Sequence, residues 1–578
     1  MDLFEQISRF IVDAKGAGDG IAADSSVGVF LPELTICATI VLMLVVRIGT
    51  IGRFQKSAQS FGGSAFWLAL LGSMLALMLS APWKHLSTVL TTEEAMASAE
   101  AVTRMEIFTG MLVYDTFTVF IRSLLLLFVV LFIVFTKLSG IPDREDGADI
   151  YTLVLGATLG MCLMASANHL LMVFMAIEMA SVPSYVLAGL LKGRRKSSEA
   201  ALKYSVYGAG TAGVMLYGIS LIAGVTNTLH LPSLTVALVE LDLPNMIEAD
   251  MGTVMVLAVG TLMLMVGLAF KLSAVPFHFW CPDVFEGASA EVCAFLSVAS
   301  KAAALALLVR VSISLSAIAP GTVPFDEPIR PGQRDVAIAQ TTGDGQQETS
   351  AEEVALLAVE DVVGHGGESE TGHEESTSGI ASLSLSDAMD RLAPSRGFLS
   401  RFIAIMAIIT CTFGNLAAFG QTNIKRLLAY STIAHAGYMM MALPGLLALA
   451  GHDSVAAERA IAGLGIYIFI YLFMNLGAFA VVAFLRNSMH SEEICDYAGL
   501  IRQCPWTVIL FSAMLFSLVG LPPLAGFIGK FAVFAGVANA YRETGDMYLM
   551  WVLLAGAINS AISLFYYLRI VKTMTMDA

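Results

Sequence analysis

Apolar residues in this chain come in long runs separated by short polar connections. Runs of bilayer length fall near 29–48, 64–83, 112–136, 150–167, 169–191, 199–224, 252–280, 289–316, 398–420, 424–448, 459–485, 504–536 and 547–571. A helix needs about 20 apolar residues to cross the hydrocarbon core, so the pattern predicts an all-α polytopic membrane protein with about 13 transmembrane helices. Positive charge occupies alternate connections. Arg47, Arg53 and Lys56 follow the first run, Lys137 and Arg144 the third, and Lys192, Arg194, Arg195 and Lys196 the fifth. Lys425 and Arg426 follow the ninth, Arg486 and Arg502 the eleventh, and Lys572 the last, whereas 226–251 holds acids and neither Lys nor Arg. The positive-inside rule then sets the N-terminus outside and the C-terminus in the cytoplasm.

Two of the runs are interrupted. In LMLMVGLAFKLSAVPFHFWCPDVFEG (262–287), Lys271 sits within the apolar stretch and Pro276 follows, before His278, Asp283 and Glu286. Proline has no N–H for the helix ladder and clashes with the preceding turn. A broken helix at bilayer depth needs neighbours or water to take up the freed backbone groups. In FSAMLFSLVGLPPLAGFIGKFAVF (511–534), Pro522 and Pro523 make the break and Lys530 follows. Each interrupted run is fourth in a set of five, over 150–316 and over 398–571. An odd number of spans makes the second set enter the membrane upside down, so the expected plan is two inverted five-helix repeats, each containing a broken helix. The expected organisation is an external segment (1–28), three helices (29–149), the first repeat (150–316), an external insert (317–397), the second repeat (398–571) and a tail (572–578).

Composition narrows the function. The 578 residues are 57% hydrophobic and 14% charged, which excludes an ordinary soluble domain. Net charge is −15, with the acid excess in loops, and no basic patch points to nucleic acid. Between Asp335 and Asp390 there is no Lys or Arg, while ten acids lie among Gly, Ser and Thr, from Asp344 and Glu348 to Glu374 and Glu375. Such a segment cannot bury enough apolar surface to order itself, and is expected to be largely disordered apart from a short helix near 350–363. The seven cysteines form no CxxC, so iron–sulfur ligation has no support. The start, MDLFEQISRFIVDAKGAGDG, lacks the basic head and continuous apolar core of a cleaved signal peptide.

Ionisable residues inside the runs are the candidate chemistry: Glu178, Lys203, Lys271, Lys301, His435 and Lys530, with His278 at the first break. A charge at the bilayer centre costs about 2.5–3.5 kcal/mol on insertion scales and marks an ion pathway more often than an anchor. Lys203 is near a helix end, where a snorkelling ammonium reads as well as a relay. His435 fits a satisfied core histidine as well as a relay, and His278 fits a cap on the break. For Glu178, Lys271 and Lys301 together, recurrence at about one charge per span favours proton transfer. Burial disfavours an ammonium and a nearby carboxylate favours it, so a lysine that approaches and leaves a carboxylate has two protonation preferences. Gly208, Gly210 and Gly213 match GxGxxG, but inside a membrane run with no strand before it, so close helix packing explains them better than dinucleotide binding.

The motifs AFKLSAVPFHFWCPDVFEGA, AFLSVASKAAALALLVRV, NIKRLLAYSTIAHAGYMM and GLPPLAGFIGKFAVF closely resemble the proton-pumping, antiporter-like membrane subunits of respiratory complex I, NADH-quinone oxidoreductase. LPEL near Glu33 and EAALKYSVYGA around Lys203 add to the likeness, which covers the chain apart from 1–25, 85–110 and 317–397. The resemblance implies proton translocation coupled to quinone reduction in neighbouring subunits of a bacterial inner membrane. It also implies partnership with other complex I membrane subunits, and no redox cofactor here, since NADH, FMN, iron–sulfur clusters and quinone belong to other subunits. It further implies that Glu178 and Lys271 form an input ion pair, Lys301 is the central relay and Lys530 leads to the exit, with Lys203 essential and His278 and His435 intermediates. The acidic insert and Glu291 depart from the family pattern, as does the end of the chain after about thirteen spans where about fourteen are usual. A subunit of a multi-subunit cation/proton antiporter is the rival reading and shares Glu178 and Lys271; lysine rather than glutamate at 530 favours the first. A purely structural membrane subunit is the third.

Overall fold

A computed structural model describes residues 26–51, 58–80, 104–140, 147–191, 193–318 and 385–577. Arg53, Lys56, Arg144, Lys192 and the helix expected near 350–363 lie outside the described residues. A single turn, Ser26–Val29, leads into α1 (Leu31–Ile51), α2 (Ala58–Leu79) and α3 (Thr116–Ser139). The first five-helix set is α4 (Gly147–Ser166), α5 (Leu170–Ala188), α6 (Arg195–Thr226), the broken pair α9 (Met251–Leu272) and α10 (Trp280–Gly287), and α11 (Ala290–Ser316). Two short helices, α7 (Leu231–Glu240) and α8 (Leu243–Ala249), fill the connection expected to be acidic. After α12 (Leu385–Arg391) comes the second set: α13 (Ala393–Ala418), α14 (Ile424–Met440) with α15 (Ala442–Ala450), α16 (Ser454–Met489), the broken pair α17 (Pro505–Val519) and α18 (Ala525–Thr544), and α19 (Met547–Thr575). Eleven helices among the described residues are long and apolar enough to cross a membrane. Ser64–Leu79 of α2 and the whole of α17 are apolar but shorter.

Three boundaries differ from the sequence reading. The run expected from 112 opens with a strand: β1 (Met105–Ile107) pairs antiparallel with β2 (Leu112–Tyr114), and α3 begins only at Thr116. Asp115 stops the strand by accepting the amide of Thr118 at 2.7 Å, an N-cap that apolar periodicity does not reveal. The first broken span runs on to Gly287, because α10 is its second half. The end of the expected insert is ordered, since α12 and the start of α13 lie before 398.

The basic connections gather at one end of the bundle, as the charge pattern requires. There Arg47 pairs with Asp149, Lys196 with Glu286 at 2.7 Å, and Asn487 donates to Ser139 O at 2.7 Å. The opposite end holds Arg310 on Asp115 at 2.8 Å, His230 against Glu106 at 3.2 Å and Arg391 on Asp242 at 3.4 Å. Helix α11 is the most enclosed span, while α1, α2 and α19 leave Val41, Trp67, Trp551 and Phe565 exposed, as a lipid-facing rim would. Glycines set two close crossings. A Cβ on Gly160 of α4 would stand 2.5 Å from Ala180 N of α5, and one on Gly414 of α13 2.7 Å from Ala434 N of α14. The two glycine–alanine pairs have the same sequence spacing. Of the GxGxxG glycines only Gly208 is packed, against Tyr185, while Gly210 and Gly213 face open space.

The first three helices hide an ion pair. Arg122 of α3 meets Glu33 of α1 at 3.3 Å, and donates to Val29 O at 3.0 Å and Ser80 Oγ at 3.3 Å. Both residues are almost fully buried. Removing one partner leaves the other charge uncompensated, a cost of about 3–5 kcal/mol, whereas replacing both by apolar groups is often neutral. Arg122→Met is therefore expected to lower the thermal midpoint of the detergent-purified protein by several degrees, and Glu33→Leu/Arg122→Met to recover most of the loss.

Candidate functional site

The site starts from two helices that stop inside the bundle. Helix α9 ends at Ser273, which takes a left-handed conformation at φ 57°, and α17 ends at Gly520 at φ 85°. A helix end leaves carbonyls without intrahelical donors, and inside the bundle each needs a partner. At the first break Trp280 Nε1 donates to Phe270 O at 3.1 Å. Lys301, from the centre of α11, donates to Leu272 O at 2.6 Å, to Lys271 O at 3.5 Å and to Ser273 Oγ. Its ammonium also lies 5.5 Å from the Trp280 ring centroid. At the second break Lys530 donates to Val519 O at 2.8 Å and Ser560 Oγ at 3.3 Å, over the Tyr438 ring at 4.2 Å. Leu272 and Val519 each stand one residue before the left-handed cap. The two breaks thus use one device, an ammonium seated on the last carbonyls of a half-helix.

The chemistry follows from donor counting. An ammonium has three donors and no acceptor, and each lysine meets only acceptors and an aromatic face. The negative end of the helix dipole adds about 0.3–1 kcal/mol in favour of a cation, and more when partly buried. Lys271 differs. It is buried, and its ammonium donates to Ser181 Oγ of α5 at 3.0 Å. The ion pair expected between Lys271 and Glu178 is not formed: Ser181 stands one turn beyond Glu178 on the same helix and takes the ammonium instead. Glu178 is half-buried.

Polar side chains lie between Lys301 and Lys530. Ser297 lies one turn before Lys301 on α11 and accepts from Asn475 Nδ2 at 2.7 Å. Asn475 also donates to Tyr471 Oη at 2.8 Å. The Tyr471 ring packs on His435, centroids 5.1 Å apart, and His435 Nδ1 bonds Tyr467 Oη at 2.8 Å. His435 packs in turn on Tyr438, which lies beneath Lys530. Tyr438 Oη accepts from Asn415 at 3.3 Å, and Asn415 contacts Asn559 and Tyr566 at 3.3 and 3.0 Å. The structure therefore brings together Lys271, Lys301, His435 and Lys530. Sequence reading missed Ser181, Trp280, Tyr438, Tyr471 and Asn475. A lone Tyr or Asn in an apolar run carries no charge signal, although five tyrosines within α14, α16 and α19 are fully buried.

Two expected members stand apart. Lys203 is about one-third exposed at the basic end, paired with Glu199 at 2.8 Å and Asp283 at 2.7 Å, because two turns from the helix start at Arg195 is too shallow to reach the row. His278 packs edge-on against Phe413 at 4.4 Å, with Nδ1 free of hydrogen bonds, because the chain turns outward after Pro276. It makes no bond to the row, and the α9 carbonyl at Phe270 is taken by Trp280 instead. Tyr471→Phe removes the hydroxyl that links Asn475 to the His435 pocket. It is expected to slow proton transfer about tenfold, the size of one hydrogen bond of about 1–1.5 kcal/mol, in membranes with normal assembly. Unchanged pumping would place Tyr471 outside the route.

Comparisons with known proteins agree on the architecture. Residues 167–321 and 377–563 match the family described as NADH:quinone oxidoreductase/Mrp antiporter, TM. NADH-quinone oxidoreductase subunit N of Anaeromyxobacter sp. (strain Fw109-5) is 36% identical over 490 residues, covering 85% of this chain and 80% of that protein. NADH-quinone oxidoreductase subunit N 2 of Sorangium cellulosum (strain So ce56) is 34% identical over 560 residues, covering 96% and 89%. A chain of respiratory complex I from Thermus thermophilus with bound aureothin is similar at a TM-score of 0.60 and 26% identity, covering 94% of this chain and 90% of that one. A chain of the Mrp complex from Dietzia sp. DQ12-45-1b shares the fold at a TM-score of 0.63 and 16% identity, covering 96% and 80%.

Proposed function

The chain belongs to the NADH:quinone oxidoreductase/Mrp antiporter family of transmembrane subunits, and we propose that its buried lysines carry protons across the membrane. It is a multi-pass membrane subunit of NADH-quinone oxidoreductase, working beside other membrane subunits of the complex. The observation that carries the residue-level reading is the seating of Lys301 and Lys530 on the carbonyls of two broken helices, with Ser297, Asn475, Tyr471, His435 and Tyr438 between them. Glu178 and Lys271 form the input side. When Lys271 leaves Ser181 for Glu178, the cation beside Lys301 moves away and Lys301 holds its own proton more firmly. When Lys271 returns, like-charge repulsion favours release from Lys301 toward Asn475. The proton passes by the tyrosine and histidine side chains to Lys530, which gives it up on the exit side.

Two inverted repeats are part of this reading, supported by the matched glycine–alanine pairs and by the shared capping device. So is the orientation, with the basic end in the cytoplasm of a bacterial cell and both termini as the charge pattern expects. NADH, FMN, iron–sulfur clusters and quinone are assigned to other subunits. Among the described residues no group of three or more His, Cys, Asp or Glu side chains is placed to hold a metal. The alternative, a cation/proton antiporter subunit, is supported by the fold shared with the Mrp complex and by the breadth of the family match, which spans both kinds of subunit.

The test is quinone-linked proton pumping in inverted membrane vesicles. Lys271→Ala and Lys530→Arg, the second keeping a donor on Val519 O, are each expected to leave assembly intact and to remove most pumping, about 10²-fold where one proton carrier is lost. Normal pumping by either variant would exclude that lysine from the route. Sodium-dependent, quinone-independent proton exchange would support the antiporter.

A further inference from the structure

We propose that Asp283 and Glu286 are positioning residues, whose ion pairs to both five-helix sets fix the short helix α10 and thereby hold Trp280 against Lys301. The inference rests on the proton-relay reading of Lys301. Helix α10 has only eight residues, WCPDVFEG, and follows the break, so its own ladder does little to orient it. Its orientation comes from the basic end of the bundle. Asp283 accepts from Lys203 of α6 at 2.7 Å and from Arg426 of α14 at 3.1 Å. Glu286 accepts from Lys196 of α6 at 2.7 Å and from Arg426 at 2.7 Å. Lys425 of α14 donates to Glu286 O at 3.1 Å and Ala288 O at 2.7 Å, capping the last carbonyls of α10. A Cβ on Gly287 would stand 2.4 Å from Lys196 O, so the helix end already touches the backbone of α6.

The other end of α10 is Trp280. Its ring stacks on Tyr204 of α6, centroids 4.2 Å apart and planes 6° apart, while its Nε1 caps Phe270 O and its face meets the Lys301 ammonium. A tilt of α10 therefore removes one carbonyl partner from the end of α9 and the aromatic face from Lys301 together. Each ion pair is partly exposed and weak by itself. Convergence on two carboxylates of one short helix, from lysines of the first set and an arginine of the second, makes the clamp sensitive to how the sets sit against each other. Lys203 is then a strut of this clamp.

The experiment uses the assembled complex in membrane vesicles and reads NADH–quinone electron transfer and protons pumped per electron. Asp283→Asn/Glu286→Gln is expected to keep electron transfer and to lower protons per electron about threefold, because loss of a few weak pairs shifts α10 by a small factor each. Asp283→Glu and Glu286→Asp keep the charge and are expected to keep the ratio. A merely structural role would lower electron transfer and pumping in parallel, and that outcome overturns the proposal, as does an unchanged ratio. If the double variant does not assemble, Asp283→Asn and Glu286→Gln singly decide by the same criterion. Lys301→Ala runs alongside. Normal pumping by Lys301→Ala sinks the relay reading, whereas loss in Lys301→Ala with a normal ratio in the carboxylate variants sinks the clamp alone.

Discussion

Two helices stop inside the bundle, and the carbonyls they leave open need donors. This requirement organises the site. A hydrocarbon environment offers no donors, and an unpaired backbone group there costs several kcal/mol, on the order of 4–8 on a hydrocarbon scale. Lysines supply the donors. Lys301 sits on Leu272 O and Lys530 on Val519 O, each with a hydroxyl and an aromatic face beside it. The buried charge and the broken helix are each unfavourable alone and satisfy each other together. The capping group is also a titratable one, so the feature that stabilises the break can carry a proton.

The same economy appears at the basic end. There the short helix behind the first break has almost no ladder of its own, and side chains of both sets hold it. Trp280 links that surface clamp to the buried ammonium. Between the two lysines the side chains carry no permanent charge: Ser297, Asn475, Tyr471, His435 and Tyr438. Neutral polar groups can be packed in an apolar interior at less cost than charges when they bond one another. This explains why cations stand at the ends of the bridge, where helix dipoles meet them, and hydroxyls, an amide and an imidazole lie between.

How much of this was legible in the sequence depended on the kind of signal. Membrane spans declare themselves by length, and the breaks by Pro276, Pro522 and Pro523, so the bundle and its interrupted helices were readable. Lys271, Lys301 and Lys530 were readable because charges in apolar runs are rare. The hairpin at 105–114 was not, since strands of three residues carry no period to detect. The bridge was not, since an isolated Asn475 or Tyr471 within α16 looks like ordinary variation until both helices are placed. Lys203 reads equally as a snorkelling end or a relay from its place in a run, because depth depends on where the helix starts, and Arg195 starts it only two turns earlier. Glu178 was expected to touch Lys271. One turn of α5 separates that carboxylate from Ser181, and side-chain rotamers, which no sequence pattern encodes, decide which of the two takes the ammonium.

In the proposed route Lys301 is a carrier as well as a cap, and Lys301→Arg separates the two roles. A guanidinium keeps the charge and donates to carbonyls, but is not deprotonated in proteins. The measurement is protons pumped per electron by the assembled complex carrying this variant. Normal assembly and electron transfer, with pumping through this subunit lost, is the expected result. A normal ratio would contradict it, because the lysine would then serve the break without ever releasing a proton.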